Sequence, residues 1–454
     1  MTSPAPKPSS ITAFLVSEVR KLAGHALPDD VLEMARHCLL DWFGIAIGGA
    51  REPLVLKLLE EAREQGGHAQ STVIWHGERT SAALAALVNG SAADALDFSD
   101  AHLAMRGHTT PAVVATSLVL AESRGASGRE FLAAIVAGVE MECRVGLLVA
   151  PPYLRWGFHP TGNLAPFGAT AAAAQLLGLE PDRWAHALGI AATQAAGLLA
   201  SGGTMSKPFH SGKAATNGLL AARLAHRDFI ARPDAIEAPE GFVDTHATGR
   251  HEDLLYGSAG RYLILDTIFK SHAACQLTHS SIENMLALQH DHAFKPEDVV
   301  RIELEVPTRH LGVCNIQEPR TGLEGKFSLR ATAAMALLGD DTRDIAAYDA
   351  ERMKSAELMA LRDRVHVSPR DDLEGGTSNA TIELKDGRRL SASTDTYKPL
   401  GNLELQLDIV SRKFFSLVAP VLGEKRAARL REAILETDRL PSVQPLIELS
   451  NRDA

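Results

Sequence analysis

The chain has 454 residues, 45% of them apolar and 22% charged, with a net charge of -10. That length and composition suit a globular protein of about three domain equivalents, large enough to bury a core without staples. The acidic balance argues against a nucleic-acid or anionic-membrane partner, and any anionic ligand needs a local cationic pocket. The N-terminal MTSPAPKPSS is rich in Pro and Ser with no apolar run, which predicts a loose arm, not a secretion signal. From residue 11 to about 265 the patterning is helical. Asp30-Val31-Leu32-Glu33 has the spacing of a capping box, followed by Val31, Ala35, Cys38, Leu39 and Trp42 on one face. Ser127-Gly128-Arg129-Glu130 is a second such start, ahead of Phe131, Ile135 and Val139. GATAAAAQLLGL and ALGIAATQAAGLLAS are crowded with Ala and Gly, which predicts closely packed, buried central helices.

The texture changes near Asp266. VVRIELEVP alternates apolar and charged residues and predicts a half-buried strand. TIELKDGRRLSAST places Lys385-Asp386-Gly387 between two strand-like arms, a hairpin signal. FSLRATAAMALLG between them reads as helix, and helical patterning returns from Leu405 in FFSLVAPVL and AARLREAIL. The expected fold is therefore mainly α. A large helical domain spans 1–265 and 397–454, and a smaller α+β domain spans 266–396.

Cys38, Cys143, Cys275 and Cys314 are far apart with no CxxC pair, as in a reducing compartment. No uncharged apolar run reaches the ~20 residues of a membrane span. A cytoplasmic protein is expected.

Four stretches carry chemistry. DFSDAHLAMRGHTTP gathers Asp97, Arg106 and His108 ahead of the helix PAVVATSLVLAE, whose free N–H groups suit an anion. Read alone, Asp97 is as well explained as a helix-end residue. WGFHPTGNLAPFGATAAAAQLLGL repeats the layout, with His159 and Thr161 where an Ala-rich helix begins. SGGTMSKPFHSGKAATNGLLAARLA places Ser206, Lys207 and His210 after a Gly-Gly turn, without P-loop spacing. FKSHAACQLTHSSIE brings Lys270, His272, Cys275 and His279 to the domain boundary, where clefts form. No HExxH occurs, and these histidines have few carboxylates beside them, so no metal is expected.

Together with GLEGKFSLRATAAMALL, these blocks resemble the MmgE/PrpD family, in family order over about residues 10–400. The resemblance implies a large helical domain, a smaller α+β lid and a homodimer. It implies activity of the 2-methylcitrate dehydratase, cis-aconitate decarboxylase or iminodisuccinate epimerase kind, with no organic cofactor or metal. The substrate would be a small di- or tricarboxylate, and the chemistry proton transfer at a carbon beside a carboxylate. Carried over by motif, the pocket would hold Asp97, His108, His159, Lys207, Lys270 and His279. His108 and His159 are the expected acid and base. Lys207, Lys270, Arg106 and Arg330 are candidate carboxylate clamps, with Ser206 and Thr161 as further substrate contacts. The chain departs from the family pattern at Ser99 and Ala101, where lyase members read Asp and Thr, and at Arg330, where decarboxylases have tyrosine. Their second basic residue in the hinge block falls on Cys275. Met105-Arg106-Gly107-His108 and Thr204-Met205-Ser206-Lys207-Pro208 are closer to the epimerase form. A lyase is the first expectation, an epimerase the second and a non-catalytic carboxylate-binding protein the third.

Overall fold

The computed structural model describes residues 10–24, 26–149 and 157–452, so the N-terminal arm lies outside the described residues. The chain divides into two compact units, one running to Phe269 and resuming at Gly401, the other Lys270–Leu400. Among the described residues no helix is long and apolar enough to cross a membrane.

The first unit begins with α1 (Ile11–Gly24), α2 (Asp29–Gly48) and α3 (Pro53–Gln65), then a short hairpin, β1 (Ser71–Thr72) and β2 (Arg79–Thr80). Next come α4 (Ala82–Ala92), α5 (Thr110–Arg124), α6 (Gly128–Leu148), α7 (Pro160–Leu176), α8 (Pro181–Ala192) and α9 (Ser206–His226). Two short helices, α10 (Phe242–His246) and α11 (Glu252–Gly257), close this stretch.

The capping box at Ser127 forms as expected: Ser127 accepts the Glu130 N–H, and Glu130 accepts the Ser127 N–H at 2.8 Å. The one expected at Asp30 does not. There α2 starts at Asp29 behind Pro28, and Asp30 only accepts the adjacent Val31 N–H. A proline fixes the backbone one step earlier than the Asp–Glu spacing suggests.

Small residues set the centre of this unit. Gly90 of α4 and Gly212 of α9 meet almost backbone to backbone, and a Cβ on Gly212 would stand 2.2 Å from the Leu87 carbonyl oxygen. Gly218 lies equally close to Ala169 of α7, and Gly168 of α7 to Gly138 of α6. α5 is buried from Thr110 to Ala121. The Ala/Gly-rich sequences thus place the starts of α5, α7 and α9 on converging buried helices.

The second unit holds α12 (Gln276–His292), β3 (Val299–Pro307), α13 (Gly322–Lys326), α14 (Leu329–Leu338), α15 (Ala350–Met353) and α16 (Ala356–Arg362). Three further strands follow, β4 (Val365–Arg370), β5 (Thr377–Leu384) and β6 (Arg389–Asp395). The sheet order is β4-β3-β5-β6, with β3 and β4 parallel and the other pairs antiparallel. Ile302, Leu304 and Val306 of β3 and Ala380, Ile382 and Leu384 of β5 are buried on alternate positions, as the two-residue period requires. The hairpin turns at Lys385-Asp386-Gly387 with Gly387 at φ 84°. β4 was not legible: Pro369 interrupts its pattern, and proline is admitted because this is an edge strand.

The chain then returns to the first unit as α17 (Leu403–Leu422), α18 (Glu424–Leu435) and α19 (Gln444–Ser450). α17 lies on α2, where Phe414 and Leu417 come within 3.3 Å of where Cβ atoms on Gly44 and Gly48 would be.

Gly212→Ala should lower stability by about 1–3 kcal/mol through overpacking of α4 on α9. Gly24→Ala, with nothing within 4 Å of the added carbon, should leave it unchanged or slightly higher. Thermal melts of the two variants check this.

Candidate active site

Between α4 and α5 the chain runs through the loop that the sequence marks with Asp97, Arg106 and His108. Asp97 has φ 54°, a left-handed conformation that a residue with a side chain seldom takes. Asp100 holds the far end of this loop. Its buried carboxylate accepts the Thr109 and Thr110 N–H groups at 3.2 Å and both hydroxyls, that of Thr110 at 2.5 Å. It thereby caps α5 and meets the positive end of the helix dipole. The sequence assigns no role to Asp100, and the helix-end reading of Asp97 concerns the end of α4, not the start of α5. Beneath the loop, Lys413 of α17 donates to the Phe98 carbonyl at 2.5 Å and stands 4.0 Å above the Phe98 ring. Lys413 also pairs with Asp41 of α2 at 2.7 Å. Burial pushes the Asp41 carboxyl up to about 6 although Lys413 pulls against it.

Lys207 is the second residue of α9, a position where the helix dipole disfavours a cation. Three acceptors compensate. The ammonium lies 2.9 Å from Asp94 Oδ1, 2.8 Å from Asp97 Oδ1 and 3.2 Å from His108 Nε2. An ammonium has three hydrogens, and each has a partner here. Burial alone would lower the lysine's pKa, but the two carboxylates outweigh it and hold the group protonated. Burial likewise pushes Asp94 up, and Lys207 together with His108 more than reverses this. Asp94 is fixed from behind by Ser211 Oγ at 2.8 Å and Ser99 Oγ at 3.3 Å. Asp94, Asp97 and His108 each offer one atom within 4.8 Å of the others, a spacing suited to a cation. The Lys207 ammonium contacts all three.

His108 Nδ1 lies 2.6 Å from the Asp100 carbonyl oxygen. A carbonyl only accepts, so Nδ1 carries the proton and Nε2 presents its lone pair to Lys207. The His108 backbone N–H donates to Thr161 Oγ1 at 3.1 Å, which joins this loop to the first turn of α7. His159 stands at the N-cap of α7, and its Nδ1 is 3.0 Å from Nδ1 of His210 on α9. Only one of those nitrogens holds a hydrogen. Burial, followed by the Lys207 charge, drives His159 down to about 3, and burial lowers His210 as well. Both rings are neutral near pH 7.

Of the residues the sequence marks, the first unit thus brings Asp97, His108, Lys207 and Thr161 into one hydrogen-bonded cluster, with His159 paired beside it. Arg106, at φ 49°, and Ser206 are exposed. Lys270, His279 and Arg330 belong to the second unit. There Lys270 is buried. His279 turns Nε2 to the Ala274 carbonyl at 3.2 Å and packs edge-on against His272. Arg330 donates to Asn315 Oδ1 at 2.6 Å.

The sequence profile of the MmgE/PrpD N-terminal domain matches residues 15–254, and that of the MmgE/PrpD C-terminal domain residues 272–439. The chain belongs to the MmgE/PrpD family. It is 29% identical to a cis-aconitate decarboxylase of Aspergillus terreus, over 98% of this chain and 96% of that one. It is 26% identical to the cis-aconitate decarboxylases of Mus musculus and Homo sapiens, over 87% of this chain and 85–86% of theirs.

Two polar neighbours, Asp94 and Ser211, go unmarked in the sequence, and His210 is marked beside Lys207 without a place in the pocket. Asp94 carries one signal, a carboxylate in AADAL just past the end of α4, where the helix dipole disfavours it. Such a charge needs a cation brought from elsewhere in the chain.

His159 titrates near 6.5 when unfolded and near 3 when folded. Its contribution to stability is therefore complete above about pH 6.5 and lost as pH falls towards 3. Relative to His159→Gln, the wild type should lose about 1.4 kcal/mol per pH unit below 6.5. Chemical denaturation of both at pH 7.5 and 5.5 reads the difference, and a pH-independent gap would contradict the lowered pKa.

Proposed function

We propose that this protein is a lyase of the dehydratase or decarboxylase type, acting on a small di- or tricarboxylate such as cis-aconitate without a cofactor. The observation that carries this reading is the part-buried contact of one ammonium with an imidazole whose acceptor nitrogen is Nε2. It occurs in a chain that matches both family domains along most of its length.

The chemistry follows from these groups. A C–H beside a carboxylate is a weak acid, and the charge left when its proton departs needs fixed positive partners in a dry site. His108 or His159 accepts a proton at a ring nitrogen, and the electron pair stays on carbon. If a β-hydroxyl then leaves as the carbon–carbon double bond forms, and the imidazolium gives it the proton, the net reaction is dehydration. Decarboxylation needs no prior proton removal: a carbon–carboxylate bond breaks, carbon dioxide leaves, its electron pair stays on carbon, and a proton taken up from solvent reaches that carbon through an imidazole. Neutral imidazoles suit the accepting role, which supports placing both histidines here. The ammonium among Asp94, Asp97 and His108 supports a metal-free reaction. Lys270, His279 and Arg330 as further substrate contacts, and the second unit as a lid, belong to the same proposal and rest on the family resemblance.

Epimerisation is the second reading. Ser99 is turned inward to Asp94 and Ala101 has no polar group, so two positions differ chemically from the lyase pattern. Incubation with cis-aconitate and a panel of hydroxy- and iminodicarboxylates in deuterated water separates the two. Loss of carbon dioxide or water supports the lyase, and deuterium at the α-carbon with inverted configuration supports the epimerase. On the substrate found, His108→Gln and His159→Gln should each lower kcat by about 10²–10⁴-fold. An unchanged kcat removes that histidine from the chemistry.

A homodimer is part of the proposal. What supports it is a set of exposed apolar side chains, Leu220, Phe229 and Ile230. Leu220 and Phe229 line a cavity of about 880 Å³ at the end of α9. Phe229→Glu with Ile230→Glu should convert a dimer into a monomer by light scattering.

A further inference from the structure

All three Lys207 hydrogens are engaged within the protein, which changes what this lysine does on meeting a substrate. Two go to carboxylates at 2.8 and 2.9 Å, and the third goes to a neutral imidazole at 3.2 Å. Bonds to ionised acceptors are roughly twice as strong as bonds to neutral ones, so the His108 bond is the one that yields. The surroundings are graded the same way. The Asp94 side chain is wholly buried and pinned by two serines, whereas the Lys207 side chain keeps 14% of its surface exposed. His108 keeps its Nδ1–H on the Asp100 carbonyl whichever partner Nε2 has.

We propose that Lys207 masks the Nε2 lone pair of His108 until a substrate carboxylate takes over the third ammonium hydrogen, so that binding and activation of the base are one event. This rests on the carboxylate reading above. In the resting protein Nε2 is occupied as an acceptor and cannot take a proton from carbon. An arriving carboxylate offers an ionised acceptor, the ammonium transfers one hydrogen bond to it, and Nε2 is released with its tautomer already set. The proton then moves from carbon to Nε2, giving an imidazolium flanked by Asp97 and Asp94. Asp94 is a positioning residue in this scheme, since it holds the ammonium while the third bond changes partner. A molecule without that carboxylate leaves the base covered.

Labelling histidine with ¹⁵N and assigning His108 with His108→Gln gives a direct readout. The charged and titratable groups that face this ring are Lys207, Asp94, Asp97 and His159, with Asp100 through its backbone. In the first arm no ligand is present. Lys207→Met should move the Nε2 resonance and raise the His108 titration midpoint by about one pH unit or more, because the nearest positive charge has gone. If that variant does not fold, Lys207→Met with Asp94→Asn removes the buried pair together, and the Nε2 resonance should still move because the Lys207 hydrogen bond to it is gone. An unmoved His108 in whichever folds would overturn the masking, whatever the substrate is. In the second arm succinate and then tricarballylate are titrated onto the wild type. Saturable binding should shift Nε2 and raise the His108 midpoint, and Lys207→Met should show no such response. Saturable binding with His108 unmoved would overturn the unmasking. Failure of both acids to bind, with the first arm positive, would overturn the exchange and the carboxylate reading while leaving the masking bond intact.

Discussion

The polar interior of the helical unit is organised by one ammonium. Lys207 sits where a helix dipole repels it, and it is stable there because Asp94 and Asp97 arrive from the end of another helix. The dependence is mutual. Asp94 lies beyond the end of α4, where a carboxylate is itself disfavoured, and Asp97 adopts a left-handed backbone. Each strained placement is offset by the others, and removing Lys207 would strand two carboxylates, that of Asp94 wholly buried, at a cost on the order of 3–5 kcal/mol. The close approach of Gly90 and Gly212 makes the arrangement geometrically possible, since it brings α4 and α9 together just below the charges.

The two imidazole sites differ in what determines their protonation. At His108 the hydrogen-bond pattern decides it: a carbonyl on one nitrogen and an ammonium on the other leave room for one proton only. At His159 burial decides it, reinforced by the same ammonium and by a second imidazole nose to nose. Lys207 therefore bears on both rings, by contact at one and by field at the other. A cation beside a ring nitrogen disfavours a second proton on that ring, so at His159 Lys207 acts in the same direction as burial.

How far the sequence discloses this depends on how local the signal is. His159 and Lys207 each stand beside a proline at the start of a helix, and His108 three residues before one, a combination visible along a few residues. Asp94 is hidden because AADAL reads as the tail of an apolar helix, and its partners are 113 and 117 residues away. Asp100 caps α5 from nine and ten residues away, which depends on how the loop doubles back and is not encoded in spacing. The hairpin around Gly387 was legible because its turn chemistry is local. The edge strand β4 was not, because Pro369 breaks the pattern and its pairing with β3 spans some sixty residues.

The match to two family domains also conceals a physical dependence. The N-terminal profile, residues 15–254, contains Asp94, Asp97, His108, His159 and Lys207, the whole first-unit cluster. The loop that presents three of these residues is held from below by Lys413, which lies in the span of the C-terminal profile and 315 residues from Phe98. Lys413 nevertheless belongs to the same compact unit as the loop. Without it the Phe98 carbonyl loses a buried donor and Asp41 loses its countercharge. With its pKa already raised to about 6 by burial, Asp41 would then become neutral, and the polar floor under Asp97 and Asp100 would be gone. The geometry of the cluster is therefore a property of the closed chain, in which the last helices return to support the loop between α4 and α5, and not of the N-terminal domain that carries its residues.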